Sequence, residues 1–132
     1  MIKTKKRKKK NKLSVDYVDQ LWSKAVKAKY NYRCAICYTT EGLESHHVVH
    51  RRQCGVLRND IKNGICLCKE HHDQAERVDM LLHIFEKVDS DYLADMQRRY
   101  KHKATYLMEH GLSESEFRKK RAEELKGVIN EN

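Results

Sequence analysis

The sequence predicts an α+β fold in which two short strands sit among amphipathic helices and a pair of metal-ligand spacings ties the strand region together. Three observations carry this expectation. Apolar residues recur at helical spacing before residue 31 and after residue 69, whereas residues 43 to 49 (Leu-Glu-Ser-His-His-Val-Val) and the stretch through Ile65 and Leu67 read as strands. The chain has no proline, which suits helices better than a sandwich full of tight turns. It also has 5 cysteines in 132 residues, and a single core of that size benefits from an added staple.

Taken in order, the chain opens on a basic tail, residues 1 to 12. Lys3, Lys5, Lys6, Arg7, Lys8, Lys9, Lys10 and Lys12 lie here; removing these 8 from 28 basic residues leaves 20 against 19 acidic, so the net charge of +9 belongs mostly to the tail. Such a block repels itself, is expected to be disordered and attracts a polyanion by counterion release. A solubilising tail or a localisation signal is the plainer alternative. Ser14 then caps a helix over residues 14 to 30, whose stripe of Val15, Val18, Leu21, Trp22, Ala25 and Val26 faces a core. Asn31 ends it. A loop rich in Arg, Gly and Asn joins the two strands, and a helix is expected from Lys69 to about Lys87. Two further helices follow, the first with Leu93, Met96, Tyr100 and Leu107 on one face. Gly111 is a natural C′ residue, and Ser113 with Glu116 has capping-box spacing ahead of Phe117, Leu125 and Val128. The expected organisation is thus a tail (1–12), a core with its N-terminal helix (13–88) and a helical extension of the same domain (89–129).

No apolar run approaches a membrane span, and the N-terminal lysines are not followed by the apolar stretch of a secretory signal. The protein is therefore expected in a reducing compartment, where cysteines serve as metal ligands or free thiols. Cys34 and Cys37 are two residues apart, and Cys68 with His71 repeats that spacing. Two such knuckles close a tetrahedral Cys₃His zinc site with no open position, which makes the zinc structural. Cys54 and Cys66 fit neither knuckle and read as small apolar residues. His50, His83, His102 and His110 carry no assigned role.

Three segments together resemble the HNH endonuclease family, the ββα-metal nucleases, and in particular its small zinc-stabilised members. They are Cys34-Ala-Ile-Cys37, then Leu43-Glu-Ser-His46-His47-Val-Val-His-Arg51-Arg52, then Asn63-Gly-Ile-Cys-Leu-Cys68-Lys-Glu-His71-His72, covering residues 34 to 76. The resemblance implies that His47 deprotonates the attacking water, that His46 and His72 hold a catalytic divalent ion, and that Asn63 belongs to the loop that orients the catalytic histidine. It implies phosphodiester hydrolysis leaving a 5′-phosphate and a 3′-hydroxyl, on nucleic acid with DNA as the expected polymer. The setting it implies is the cytoplasm of a bacterial or phage-infected cell. Strand alternation agrees with the division of labour, since adjacent residues point to opposite sides and His46 and His47 cannot easily share one ion.

Two departures stand out. His71 replaces the cysteine many relatives carry, a chemically acceptable exchange. Glu76 stands where some relatives have a third histidine; on a continuing helix it would share a face with His72 and add a hard oxygen donor favouring Mg²⁺ or Mn²⁺, or else pair at the surface with Arg77 or Lys69. Arg51, Arg52 and Arg58 are expected beside the phosphate path, at least one of them as a clamp. The competing reading is a non-catalytic zinc module that binds nucleic acid with the same staple and tail.

Overall fold

The computed structural model describes residues 13–131; the tail residues Lys5, Lys6, Arg7, Lys8, Lys9 and Lys10 lie outside that range. Helix α1 (Val15–Lys29) starts on Ser14, whose hydroxyl accepts from the Tyr17 amide at 3.1 Å. Past Tyr30 the backbone of Asn31 and Tyr32 enters the left-handed region (φ 57° at both), turning the chain into the first knuckle. Strands β1 (Leu43–His47) and β2 (Gly64–Cys68) pair antiparallel, with Leu43 opposite Cys68 and His47 opposite Gly64. Between them run two short 3₁₀ turns, Gly55–Leu57 and Ile61–Asn63. The order ends with α2 (Lys69–Asp73), α3 (Val78–Lys87), α4 (Ser90–Arg99), α5 (Lys103–His110) and α6 (Glu114–Glu131). The described residues thus form an α+β fold of six α-helices and a two-stranded sheet.

Three boundaries depart from expectation, each for a traceable reason. The first strand ends at His47 and not Val49, because the Asn63 side chain takes over the ladder: its Oδ1 accepts from Val49 N at 2.7 Å and its Nδ2 donates to Val49 O at 2.9 Å. The helix expected over 69–87 is broken at Gln74–Arg77. His71 must stay with the knuckle cysteines while Ala75, Met80 and Ile84 must reach the core beside Ile65 and Leu67, and one straight helix does not serve both. The apolar face from Leu93 to Leu107 is likewise divided, at Tyr100–His102. There the buried Tyr100 points its hydroxyl at Glu109 (2.8 Å) and its carbonyl accepts from the Cys54 thiol (3.6 Å). The C-terminal region therefore holds three helices instead of two.

The α1 stripe buries Val18, Leu21, Trp22, Ala25 and Val26 against Cys66 of β2 and against Ala122 and Leu125 of α6, so the last helix closes the core over the first. Gly111 is left-handed (φ 64°), and Ser113 and Glu116 exchange both capping-box hydrogen bonds, at 3.1 and 2.8 Å. Gly64 is demanded by this packing. A Cβ there would lie 2.3 Å from Val26 Cγ2 and 2.9 Å from Trp22 Cζ2. Gly64→Ala is therefore expected to cost roughly 1–3 kcal/mol by overpacking. A lowered melting temperature with full zinc content would be the outcome, and an unchanged melt would show that α1 can withdraw freely.

Candidate functional site

The two knuckles meet. Sγ of Cys34, Cys37 and Cys68 and a ring nitrogen of His71 all lie within 4.8 Å of one another, the sole group of three or more metal-type ligands that close among the described residues. Cys37 and Cys68 sulfurs are 3.8 Å apart; His71 Nδ1 is 3.6 Å from Cys34 Sγ and 3.3 Å from Cys68 Sγ. A tetrahedron with Zn–S near 2.3 Å and Zn–N near 2.0 Å has edges of about 3.8 Å (S–S) and about 3.5 Å (S–N), so the donor set fits a zinc ion in number, type and spacing. No disulfide competes, since all five cysteines are free. Burial pushes the Cys34 thiol up, but the backbone N–H groups of Cys37, Cys68 and Ile36 and the neighbouring His71 outweigh it and bring it down to about 6. That is the behaviour of a thiolate made ready for a cation. Cys54 and Cys66 are buried among apolar residues, and burial pushes the Cys66 thiol up to about 11.

The sheet sorts the other candidates by strand alternation. On β1, Glu44 and His46 face α2: the His46 and His72 rings meet edge to face with centroids 5.2 Å apart, and Glu44 Oε1 is 3.5 Å from His72 Nδ1. Burial, reinforced by the neighbouring His72, holds the His46 imidazole down to about 4, so it is neutral with a free lone pair near neutral pH. Ser45 and His47 face α1. Ser45 Oγ donates to Ser23 O at 2.7 Å, and His47 stacks on Trp22 with centroids 3.8 Å apart and planes 6° from parallel.

His47 Nε2 is 2.9 Å from the Arg58 carbonyl oxygen. A carbonyl only accepts, so Nε2 carries the proton and Nδ1 of the neutral ring is the basic atom. Burial lowers the His47 pKa, with the Arg58 carbonyl acting in the opposite sense. Asn63, fully buried, spans the loop: besides its two bonds to Val49 it donates to Leu57 O at 3.1 Å.

Two sequence-derived placements need correction. Glu76 does not share a helix face with His72, because α2 ends at Asp73 and Glu76 sits in the following turn. Its nearest ion-pair partner is His50 at 3.6 Å, neither Arg77, which pairs with Asp79, nor Lys69, which pairs with Asp73. Arg58 is already engaged by its guanidinium: Nε and Nη2 donate to Asp19 Oδ1 and Oδ2 at 3.0 and 2.7 Å. Arg51 is exposed and 3.8 Å from the same carboxylate, and Arg52 is exposed. The sequence reading also overlooked Glu44, Asp19 and the stacking role of Trp22. Only the alternation that pairs Glu44 with His46 on one face could have hinted at any of them. Compared with protein-family models, curated proteins and solved structures, the chain matches none.

Proposed function

We propose that this protein is a metal-dependent HNH-type endonuclease that hydrolyses nucleic-acid phosphodiester bonds, DNA foremost, around a structural zinc. The observation that carries the reading is the treatment of His47: one neutral tautomer, held by a carbonyl at Nε2 and by an indole on its face, with Nδ1 left as the proton acceptor. A general base requires that fixed geometry and a neutral ring near pH 7.

In the reaction, His47 Nδ1 takes a proton from water as the water oxygen attacks phosphorus. The P–O3′ bond breaks, leaving a 5′-phosphate on one fragment, and the departing O3′ acquires a proton from solvent to give the 3′-hydroxyl. His46 and His72, on β1 and α2, would hold a divalent ion such as Mg²⁺ or Mn²⁺, with Glu76 near enough to add its charge. When bound, that ion supplies charge stabilisation to the phosphate and the leaving oxygen. With Glu44 Oε1 3.5 Å from its Nδ1, His72 would offer Nε2 to the ion, and the carboxylate would help orient the ring. Arg51 and Arg52, exposed next to the strand that carries His47, would meet phosphates, and the zinc staple would hold β2 and α2 in register.

The test is incubation of zinc-loaded protein with plasmid, linear and single-stranded DNA in Mg²⁺, Mn²⁺ or EDTA. Metal-dependent nicking or cutting with 5′-phosphate ends is expected; binding without cleavage under every condition would favour the non-catalytic zinc module. Deleting residues 1 to 12 is expected to leave zinc content and melting unchanged while weakening DNA binding. Every phosphate that the shortened protein no longer neutralises takes roughly 0.9 off the slope of log K against log salt. A truncated protein with the full-length slope would assign the tail another purpose.

A further inference from the structure

We propose that Asp19 of α1 is the positioning residue of His47, acting through Arg58 and Asn59 on the carbonyl that holds the imidazole. The inference rests on His47 being the base of the proposed nuclease. The loop between the strands is pinned at several points. Arg121 Nη2 donates to Val56 O at 3.1 Å, Asn63 Nδ2 to Leu57 O at 3.1 Å, and Trp22 Nε1 to Asp60 O at 3.0 Å. These bracket the peptide at 58–59, whose carbonyl at Arg58 meets His47, but leave its side chains to another partner. That partner is Asp19, which accepts two hydrogen bonds from the Arg58 guanidinium and a third, at 2.9 Å, from Asn59 Nδ2.

A carboxylate that takes a two-pronged guanidinium and an amide together fixes orientation as well as distance. The Arg58 peptide cannot rotate its oxygen away from His47 without dragging the fork. Asp19 also lies three residues before Trp22, so one turn of α1 presents both restraints on the ring. The acid steadies the group at its Nε2 edge, and the indole covers its face. The carboxyl is kept ionised for this work: burial would raise its pKa, but Arg58 and Asn59 bring it below the ordinary carboxylate value. Asp19 touches neither substrate nor reacting atoms in this scheme; it sets which ring nitrogen carries the proton.

The test uses full-length, zinc-loaded protein with Asp19→Asn, which preserves size but removes the charge and the second acceptor, and Asp19→Glu as the conservative change. Ring nitrogen-15 shifts of His47 at pH 8 report the tautomer directly. Wild-type protein is expected to show the Nε2–H form, Asp19→Asn a mixture of both forms, and Asp19→Glu a return toward wild type. In parallel, kcat for DNA cleavage should fall on the order of 10- to 100-fold in Asp19→Asn with KM little changed, since a slightly misplaced catalytic group can cost about 10²-fold. Wild-type tautomer and kcat in Asp19→Asn would overturn the proposal. So would a rate loss that merely tracks a lower melting temperature while the tautomer stays fixed. If the wild-type protein cuts nothing, the nuclease reading falls, and the nitrogen shifts still decide whether Asp19 holds the ring.

Discussion

Cys34→Ser and Cys68→Ser proteins are expected to be largely unfolded and free of zinc, and strong chelation of the wild type should have the same effect. The ligand group ties the Cys34–Cys37 turn to the end of β2 and the start of α2, beside a backbone hydrogen bond from Ala35 N to Cys66 O at 2.8 Å. The apolar cluster around them is built on the ligands themselves: Cys34 and Cys68 pack with Ala35, Ile65, Leu67, Ala75, Met80 and Ile84. Structural zinc binding is worth about 10–16 kcal/mol in small zinc modules, comparable with or greater than the ~5–15 kcal/mol total stability of a domain. Losing one thiolate removes much of that and leaves three donors, of which Cys37 is exposed and His71 half-buried, too few to close the site. Far-ultraviolet circular dichroism, thermal melting and metal content measure the outcome. Cys54→Ala is the control, since its sulfur sits in a different cluster and should keep the zinc. A cooperative, wild-type melt for Cys34→Ser would remove the staple from the fold.

His47→Ala should lower the cleavage rate by roughly 10²–10⁴-fold, the usual contribution of a positioned acid–base group. Zinc content, divalent-ion binding and DNA affinity should stay close to wild type, because His47 faces α1 while the proposed ligands His46 and His72 meet on the other side of the strand. His72→Ala should also lose cleavage, by weakening the hold on the catalytic ion. Raised Mn²⁺ is then expected to restore part of the His72→Ala rate and none of the His47→Ala rate. Cleavage rate against Mn²⁺ concentration for both variants decides the matter. A His47→Ala protein that cuts at the wild-type rate would hand the role of base to another group.

Local chemistry was the legible part of this molecule. Ser14, Gly111 and the Ser113–Glu116 pair announce helix ends because each satisfies backbone groups within three or four residues, and the knuckle spacing announces a ligand group because one metal geometry demands it. The strand pair and the opposite facing of His46 and His47 follow from alternation alone. The helix breaks at Gln74 and Tyr100 were not legible, since apolar spacing runs across both and the reasons for stopping lie elsewhere, in His71's duty to the ligand group and Tyr100's bonds to Cys54 and Glu109. Least visible was the Asp19–Arg58 fork. Its partners are 39 residues apart, and an exposed-looking aspartate on a helix or an arginine in a basic loop carries no mark of the other. Arginine in such a loop reads as a phosphate contact until the fold supplies a carboxylate.

The stack of Trp22 on His47 also gives the protein a built-in optical probe. Trp22 is the sole tryptophan of the chain, so all indole fluorescence originates in van der Waals contact with the candidate base. Emission wavelength and lifetime then report the local state of that ring in the unlabelled protein, in real time and at micromolar concentration. Substrate arrival, metal loading and the substitutions above can each be followed from the same spectroscopic vantage, with the seven tyrosines left dark by excitation at the red edge of the indole band.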